Sequence, residues 1–141
     1  MKALTLGLLI TIASAANVQA QTATTITAAV RAEFDPSPDH NNVVGGVAVL
    51  DRYDLEVIGN NGLGVLIFTQ QLGKPTPNAA GKIIVPVPRV FQDTANNQVY
   101  RASVFAVGPG GASPKTQSNP FVKPGPPAAP PTLVIQDPPL P

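Results

Sequence analysis

The sequence contains no cysteine and no tryptophan, and its single histidine is His40. The absence of cysteine excludes disulfide bonds, thiolate metal sites, a cysteine nucleophile and lipidation at an N-terminal cysteine. A zinc site draws several ligands from histidine, cysteine and carboxylate side chains, so one histidine makes such a site a poor interpretation. We therefore expect neither a metal nor another cofactor in this chain.

Charge is also scarce. Lys and Arg total 9, Asp and Glu total 8, and charged residues make up 12% of the chain. The basic residues are scattered along the sequence, whereas a nucleic-acid-binding protein concentrates them on one face. No nucleic-acid partner is therefore expected, and anionic membrane surfaces are poor candidates.

A catalytic motif is not recognisable. His40 lies in a polar loop, and no G-x-S-x-G elbow or comparable nucleophile accompanies it, which favours a solvated loop histidine over a triad member. Glu33, Asp35 and Asp39 lie close to it in sequence but lack the order of a calcium-binding loop. Capping and turn roles are favoured for these carboxylates. We expect a protein that is not an enzyme.

The N-terminus has the three parts of a secretory signal peptide. Lys2 supplies a positive charge, residues 3–16 form an apolar run, and a Val-Gln-Ala sequence ending at Ala20 has the small residues that a signal peptidase reads. These features predict a signal peptide at 1–20, cleavage before Gln21, and a periplasmic or extracellular mature protein. The apolar run is shorter than the roughly 20 residues that span a bilayer, and no transmembrane segment is expected in the mature chain.

After the signal, apolar and β-branched residues alternate in short runs separated by turn sequences. Period-two alternation predicts strands with one face in a core, and no segment shows the spacing of an amphipathic helix. An Asn-Gly pair at 61–62 between two such runs predicts a hairpin. Prolines in the run at 83–87 predict an edge strand, because proline donates no ladder hydrogen bond. The predicted strands cover residues 22–34, 47–58, 65–70, 83–87, 100–107 and 116–122.

One of these runs resembles a known family. The sequence Tyr100-Arg-Ala-Ser-Val-Phe-Ala-Val-Gly-Pro-Gly-Gly-Ala-Ser113 resembles the F strand and FG loop of a fibronectin type III domain. Residues 50–57 are similar to the C strand of that family, and residues 34–38 to the end of its B strand. The resemblance covers about residues 22–123.

The resemblance implies an immunoglobulin-like sandwich in which the hydroxyl of Tyr100 bonds to backbone a few residues upstream, as a tyrosine corner. Phe34 stands where the family usually has tryptophan, and Thr94 where it usually has leucine. We expect an all-β fold, a single fibronectin type III-like β-sandwich of about seven strands at 21–123. The signal peptide precedes it and a proline-rich tail at 124–141 follows it.

The tail is dense in proline, which favours polyproline II conformation and predicts a disordered, semi-rigid segment. A β-prone apolar patch interrupts it at Leu133, Val134 and Ile135. Such a patch has the composition of a segment that adds to an open sheet edge, either its own or a partner's. The sequence leaves open whether the tail docks on the sandwich.

A second candidate surface lies on one sheet face. Strand alternation directs Phe105 and Val107 outward, with Ile58 on the outward face of the neighbouring strand and either Phe68 or Ile67 on the next. An exposed apolar patch of this kind marks an interaction site. The alternatives are that the tail or a loop covers it, or that these side chains are scattered singly.

The loops at 35–46, 72–81 and 108–113 should meet at one end of the sandwich, where such folds carry binding. The expected function is an exported, non-catalytic binding or structural module that contacts a protein or a cell-envelope polysaccharide through these loops or the sheet face. The alternative is an assembly subunit or periplasmic chaperone-like protein that acts by β-strand addition. The sequence leaves the ligand and the oligomeric state open.

Overall fold

The computed structural model describes residues 21–60 and 63–137. The signal peptide predicted at 1–20, the Asn-Gly pair at 61–62 and the end of the tail lie outside the described residues. Within them the chain forms short strands and one short helix. In chain order these are β1 (Thr24–Thr25), β2 (Arg31–Phe34), β3 (Val43–Val44), β4 (Val47–Ala48), β5 (Arg52–Gly59), β6 (Leu66–Gly73), β7 (Ile83–Pro86), α1 (Pro88–Gln92), β8 (Val99–Gly108), β9 (Gly111–Ala112), β10 (Thr116–Gln117) and β11 (Phe121–Val122).

The strands form a β-sandwich, which confirms the predicted fold class. The larger sheet runs in the order β1-β11-β8-β5-β6, and β9 and β10 also pair with β8. Strands β2 and β7 form the second sheet, and β3 and β4 form a separate hairpin. The pairing of β1 with β11 is parallel, and the β5–β6, β5–β8 and β2–β7 pairings are antiparallel.

The core lies between the two sheets. The inward face predicted for β5 is confirmed, because Tyr53, Leu55 and Val57 are buried. On the other face Arg52 and Glu56 are partly exposed as expected, but Asp54 is buried and ion-paired with Arg52. Burial of one large apolar side chain stabilises a fold by roughly 1.5–3 kcal/mol. The buried apolar side chains are Ile26, Leu50, Tyr53, Leu55, Val57, Phe68, Ile83, Val87, Val90, Tyr100 and Phe121.

The strand predicted at 22–34 is divided between the two sheets. A turn separates β1 from β2, in which the Val30 amide donates to the Thr27 carbonyl at 3.1 Å and the Ala29 amide to the Thr27 hydroxyl at 3.3 Å. The buried side chain of Ile26 precedes this turn. The chain therefore pairs first with β11 and then crosses to pair with β7.

The strands predicted at 47–58 and 116–122 are also interrupted. Val47 and Ala48 belong to the β3–β4 hairpin, and the chain bends at the buried Leu50 before β5 begins. Between β10 and β11 the strand pairing with β8 is replaced by hydrogen bonds of Ser118. Its amide donates to the Ala102 carbonyl at 2.8 Å and its hydroxyl accepts from the Ala102 amide at 3.0 Å. The prediction of one continuous strand is wrong in both places.

The edge position predicted for residues 83–87 agrees with the pairing, because β7 pairs with β2 in a two-stranded sheet. The chain then enters α1, a single turn that the sequence did not predict. Pro88 begins it, where a missing amide hydrogen costs nothing. Val90 in this turn is buried, and its carbonyl accepts a 2.6 Å hydrogen bond from the Thr94 hydroxyl.

The hydroxyl of Tyr100 accepts a 2.9 Å hydrogen bond from the Ala95 amide, which confirms the bond to upstream backbone expected of this tyrosine. The ring stacks on Phe121 with centroids 6.0 Å apart. Val90 fills part of the same core cluster. Beyond β11, residues 124–137 contain no strand, and no helix in the described part of the chain is long and apolar enough to cross a membrane.

Candidate functional site

The sheet face predicted as an apolar patch is mixed in charge. Phe105, Val107 and Ile58 are half-buried, and their register partners on the neighbouring strand are Asp54, Arg52 and Arg101 respectively. Because each apolar side chain adjoins a charged one, the face is not a contiguous apolar patch. The role proposed for it from the sequence gains no support from this arrangement.

Lys115 covers part of the same face. Its ammonium lies 2.8 Å from both carboxylate oxygens of Glu56 and 5.5 Å from the centre of the Phe105 ring. A cation over an aromatic face is attracted by the ring quadrupole. Arg52 and Asp54 form a second ion pair at 2.9 Å. These pairs cover the face with charged groups.

The expectation that Phe68 belongs to an exposed surface is wrong. Its side chain is 8% exposed and belongs to the core, with the guanidinium of Arg89 4.4 Å from its ring centre. Ile67, the alternative, is the exposed residue of the pair. The register of β6 against β5 shifts between Val57 and Ile58, and this irregularity decides which side chain points inward.

The apolar patch of the tail is exposed. Leu133, Val134 and Ile135 are 87%, 65% and 89% exposed. The start of the tail is held to the sandwich, because the Gly125 amide donates to the Asn97 side chain at 3.1 Å. The tail thus leaves the body at a fixed point and presents its apolar side chains to solvent.

The three loops expected at one end of the sandwich do meet there. Residues 35–46 and 108–113 line the same cleft. The loop that follows β6 joins them through Lys74, whose ammonium donates to the Leu50 carbonyl at 3.2 Å, and through Lys82, which forms a 2.6 Å ion pair with Asp35. We call this region the loop end.

The β3–β4 hairpin projects from the loop end. Its turn is Gly45-Gly46, with φ of 58° and 79°. A two-residue hairpin turn of this type needs positive φ at both positions, which glycine adopts without strain. Val43, Val44 and Val47 are 62%, 71% and 55% exposed on this short hairpin. Three exposed branched apolar side chains so close together form an apolar tip.

Tyr53 braces the base of this hairpin from within the core. Its hydroxyl accepts a 2.9 Å hydrogen bond from the Ser37 amide and lies 2.9 Å from Nδ1 of His40. The rings of His40 and Tyr53 stack with centroids 5.8 Å apart, and Phe34 packs edge-on against Tyr53 at 5.1 Å. Burial raises the pKa of the Tyr53 phenol, and the Ser37 amide opposes this effect.

The expectation that His40 is a solvated loop residue is wrong. The side chain is 8% exposed, and its ring nitrogen is engaged by Tyr53. The sequence did not predict that His40 and Tyr53 pair, because their hydrogen bond joins positions 13 residues apart. The signal available was the aromatic residue on the inward face of β5, whose hydroxyl needs a partner when it is buried.

The opposite wall of the cleft is the β8–β9 turn. A β-carbon at Gly108 would lie 1.9 Å from the Val49 carbonyl oxygen, so the two backbones are in close contact here. The Asp51 amide also donates to the Val107 carbonyl at 2.9 Å. The cleft between this turn and the hairpin has a volume of about 400 Å³. Backbone and small apolar groups dominate its lining, which suits contact with an apolar or extended partner segment.

A second opening lies on the side of the sandwich, between β2 and β10. It has a volume of about 490 Å³ and reaches the side chains of Leu55, Val87 and Val104. We call it the lateral groove. Within residues 21–60 and 63–137, no group of three or more histidine and carboxylate side chains is arranged to hold a metal ion.

Comparisons with known proteins give little further information. No protein-family model matches the sequence, and no curated protein matches it. The chain is similar to a solved structure named "Myokine structure", with 16% identity and a TM-score of 0.37. The match covers 77% of this chain and 94% of that one. A likeness of this size carries no argument, so any functional inference rests on the geometry above.

Proposed function

We propose that this chain is an exported, non-catalytic binding module that contacts a protein partner through the loop end of a fibronectin type III-like sandwich. The observation that carries the proposal is the apolar tip, where Val43, Val44 and Val47 are exposed on a hairpin that Tyr53 and His40 brace. Exposed apolar groups on a rigid support mark protein interaction sites, since they lose little freedom on binding.

The pairing order of the strands supports the fibronectin type III-like assignment. In immunoglobulin-like sandwiches strands C, F and G share one sheet, and B and E lie in the other. Here β5, β8 and β10 are neighbours in one sheet, and β2 pairs with β7 in the other. The bond from the Ala95 amide to Tyr100 is a second point of agreement.

Two observations support a binding role over catalysis. His40 is the chain's single histidine, and its Nδ1 is engaged by the buried Tyr53 hydroxyl instead of a nucleophile. The serine hydroxyls of the adjoining cleft bond to backbone: that of Ser37 accepts the Asp39 amide, and that of Ser113 donates to the Pro114 carbonyl. A catalytic site needs a nucleophile, a base and an orienting group within hydrogen-bond reach of one another.

Binding at the loop end is tested with immobilised protein and an envelope extract. The double variant Val44→Asp, Val47→Asp should lose a retained protein that the wild type captures, because charge on the tip opposes apolar contact. Leu66→Asp is the matched control, since Leu66 is a similarly exposed apolar residue (56%) at the far end of β6. Equal capture by all three chains would contradict the proposal.

The same experiment separates the two partner classes. Protease treatment of the extract, followed by removal of the protease before capture, should abolish retention on the wild-type chain. Retained material that survives protease but not glycan-degrading enzymes would replace the protein partner by an envelope polysaccharide.

Export is tested separately by mass spectrometry of the mature N-terminus. The proposal expects the exported chain to begin at Gln21, because the small residues before it satisfy a signal peptidase. An exported chain that retains Met1 would contradict it.

A further inference from the structure

The lateral groove is an incomplete part of the sandwich. β2 and β10 flank it, and its floor includes the core side chains Leu55, Val87 and Val104. β1 runs parallel to β11 and begins only at Thr24, opposite Phe121, so it does not lie alongside the preceding strand β10. Its volume of about 490 Å³ lies within the range of sites that bind small ligands or side chains.

The edge of β2 that borders the groove has free backbone groups. Directly opposite residues in an antiparallel pair alternate between exchanging both hydrogen bonds and exchanging none. Arg31 lies opposite Pro86, which has no amide hydrogen, so this pair exchanges none. Because the pattern repeats every two residues, Glu33 also exchanges no hydrogen bond with its partner Ile84, so its amide and carbonyl point away from β7. Among the described strands, none pairs with this edge.

The same chain carries a segment with the chemistry to fill the groove. Residues 132–136, Thr-Leu-Val-Ile-Gln, are uncharged and β-prone. Alternate side chains in a strand point to opposite faces, so Leu133 and Ile135 share a face that Val134 does not. Five residues span about 17 Å as a strand, which matches the length of the four-residue β2 with its flanking backbone.

A proline-rich spacer separates this segment from the body of the sandwich. Five of the eight residues 124–131 are proline, and polyproline II conformation would carry the chain about 22 Å from the contact of Gly125 with Asn97 to Thr132. In the structure Leu133 and Ile135 remain exposed although the groove belongs to the same chain. The spacer thus presents the segment where another molecule's groove can receive it.

We propose that residues 132–136 of one copy add as a strand to the free edge of β2 in a second copy, with Leu133 and Ile135 inserted in its lateral groove. Backbone hydrogen bonds to Arg31 and Glu33 fix the register, and the two apolar side chains cover exposed core. Because the donor and acceptor surfaces differ, the contact is heterologous and extends into open chains unless the geometry closes a ring.

The first test is the oligomeric state of the mature chain, measured by light scattering during size-exclusion chromatography over a range of concentrations. The wild type should form species larger than a monomer as concentration rises. Leu133→Asp with Ile135→Asp should weaken this association by about 100-fold or more, because two side chains lose an apolar site. Val134→Asp is the matched control and should associate like the wild type, because its side chain faces away from the groove.

The second test blocks the acceptor. Glu33→Pro removes one of the two free amides of the β2 edge and puts a proline ring in the path of an added strand, while it leaves the β7 pairing. This variant should be monomeric, whereas Glu33→Thr should associate normally. Mixing Glu33→Pro with the Leu133→Asp, Ile135→Asp chain should restore a one-to-one heterodimer, since one supplies the segment and the other the groove. This restoration excludes unfolding as the cause of either loss.

Three results would overturn the proposal: a wild type that stays monomeric at every concentration, a Val134→Asp chain as impaired as the double variant, or a mixture that stays monomeric. A monomeric wild type whose melting temperature falls in the double variant would show instead that the segment occupies its own groove. None of these variants changes the apolar tip, so they should still capture a partner through the loop end. A failure of the self-association proposal can therefore be distinguished from a failure of the proposed binding function.

Discussion

The hydroxyl of Tyr53 and Nδ1 of His40 lie 2.9 Å apart, and this contact joins a central strand of the larger sheet to the loop that leads into the β3–β4 hairpin. The same hydroxyl accepts the Ser37 amide at 2.9 Å. The position of the apolar tip is therefore set by a core residue on β5. Stability of the core and presentation of the loop end are coupled through one side chain.

Tyr53→Phe should lower the free energy of unfolding by about 1–3 kcal/mol. The ring remains to fill the core, but the Ser37 amide and the His40 ring lose their partner in a partly buried position. Chemical denaturation measures the loss, and amide hydrogen exchange should show faster exchange at Ser37 and His40. An exchange rate at these amides equal to that of the wild type would contradict the bracing role.

Tyr100→Phe removes a hydroxyl at the opposite end of the sandwich and serves as the comparison. We expect a loss of about 1 kcal/mol or more, because the Ala95 amide then lacks its acceptor. Partner capture through the apolar tip should be unchanged in this variant and reduced in Tyr53→Phe. A melting temperature equal to that of the wild type would argue against a stabilising tyrosine corner.

The sequence predicted the parts of this fold that depend on local alternation. In β5 the inward residues Tyr53, Leu55 and Val57 alternate with charged ones, because one face meets the core, although the pairing that buries Asp54 on the other face was not visible. The end of a strand was harder to predict where no glycine or proline marks it. The turn after β1 is held by the Thr27 hydroxyl and carbonyl, so residues 22–34 look like one continuous β-branched strand in the sequence although the chain turns within them.

The candidate sites depended on contacts between distant residues and could not be predicted from spacing. His40 is buried because Tyr53 meets it across the loop, and no local pattern indicates that partner. The choice between Phe68 and Ile67 depends on a register irregularity against β5, and a shift of one residue exchanges the two faces of a strand. The lateral groove depends on where β1 begins relative to β10.

Alkaline pH should destabilise the fold in part through Tyr53. Burial raises the pKa of this phenol in the folded state above its ordinary value of 10.0. The unfolded chain therefore releases this proton at a lower pH than the folded chain does. The contribution of Tyr53 to stability is fully present below about pH 10 and is lost as pH rises through the folded pKa. The pKa of Lys82 is raised by its hydrogen bond to Asp35 and acts in the same direction.

The pH effect is measured as the fall in melting temperature between about pH 8 and pH 11. Tyr53→Phe should show a smaller fall than the wild type, and Lys82→Met combined with it a smaller fall again. If the wild type and Tyr53→Phe chains lose the same number of degrees, burial of the phenol does not contribute to alkaline unfolding.

The close contact between the two walls of the loop-end cleft makes Gly108 and Gly110 a matched pair. A β-carbon at Gly108 would lie 1.9 Å from the Val49 carbonyl oxygen, and backbone on both sides leaves no flexible group to give way. Gly108→Ala should therefore cost about 1–3 kcal/mol of stability and separate the β8–β9 turn from the hairpin. A β-carbon at Gly110 meets nothing within 4 Å, so Gly110→Ala should change stability little. Chemical denaturation of the two variants compares them directly, and equal midpoints would show that Val49 and the turn are not in contact in solution.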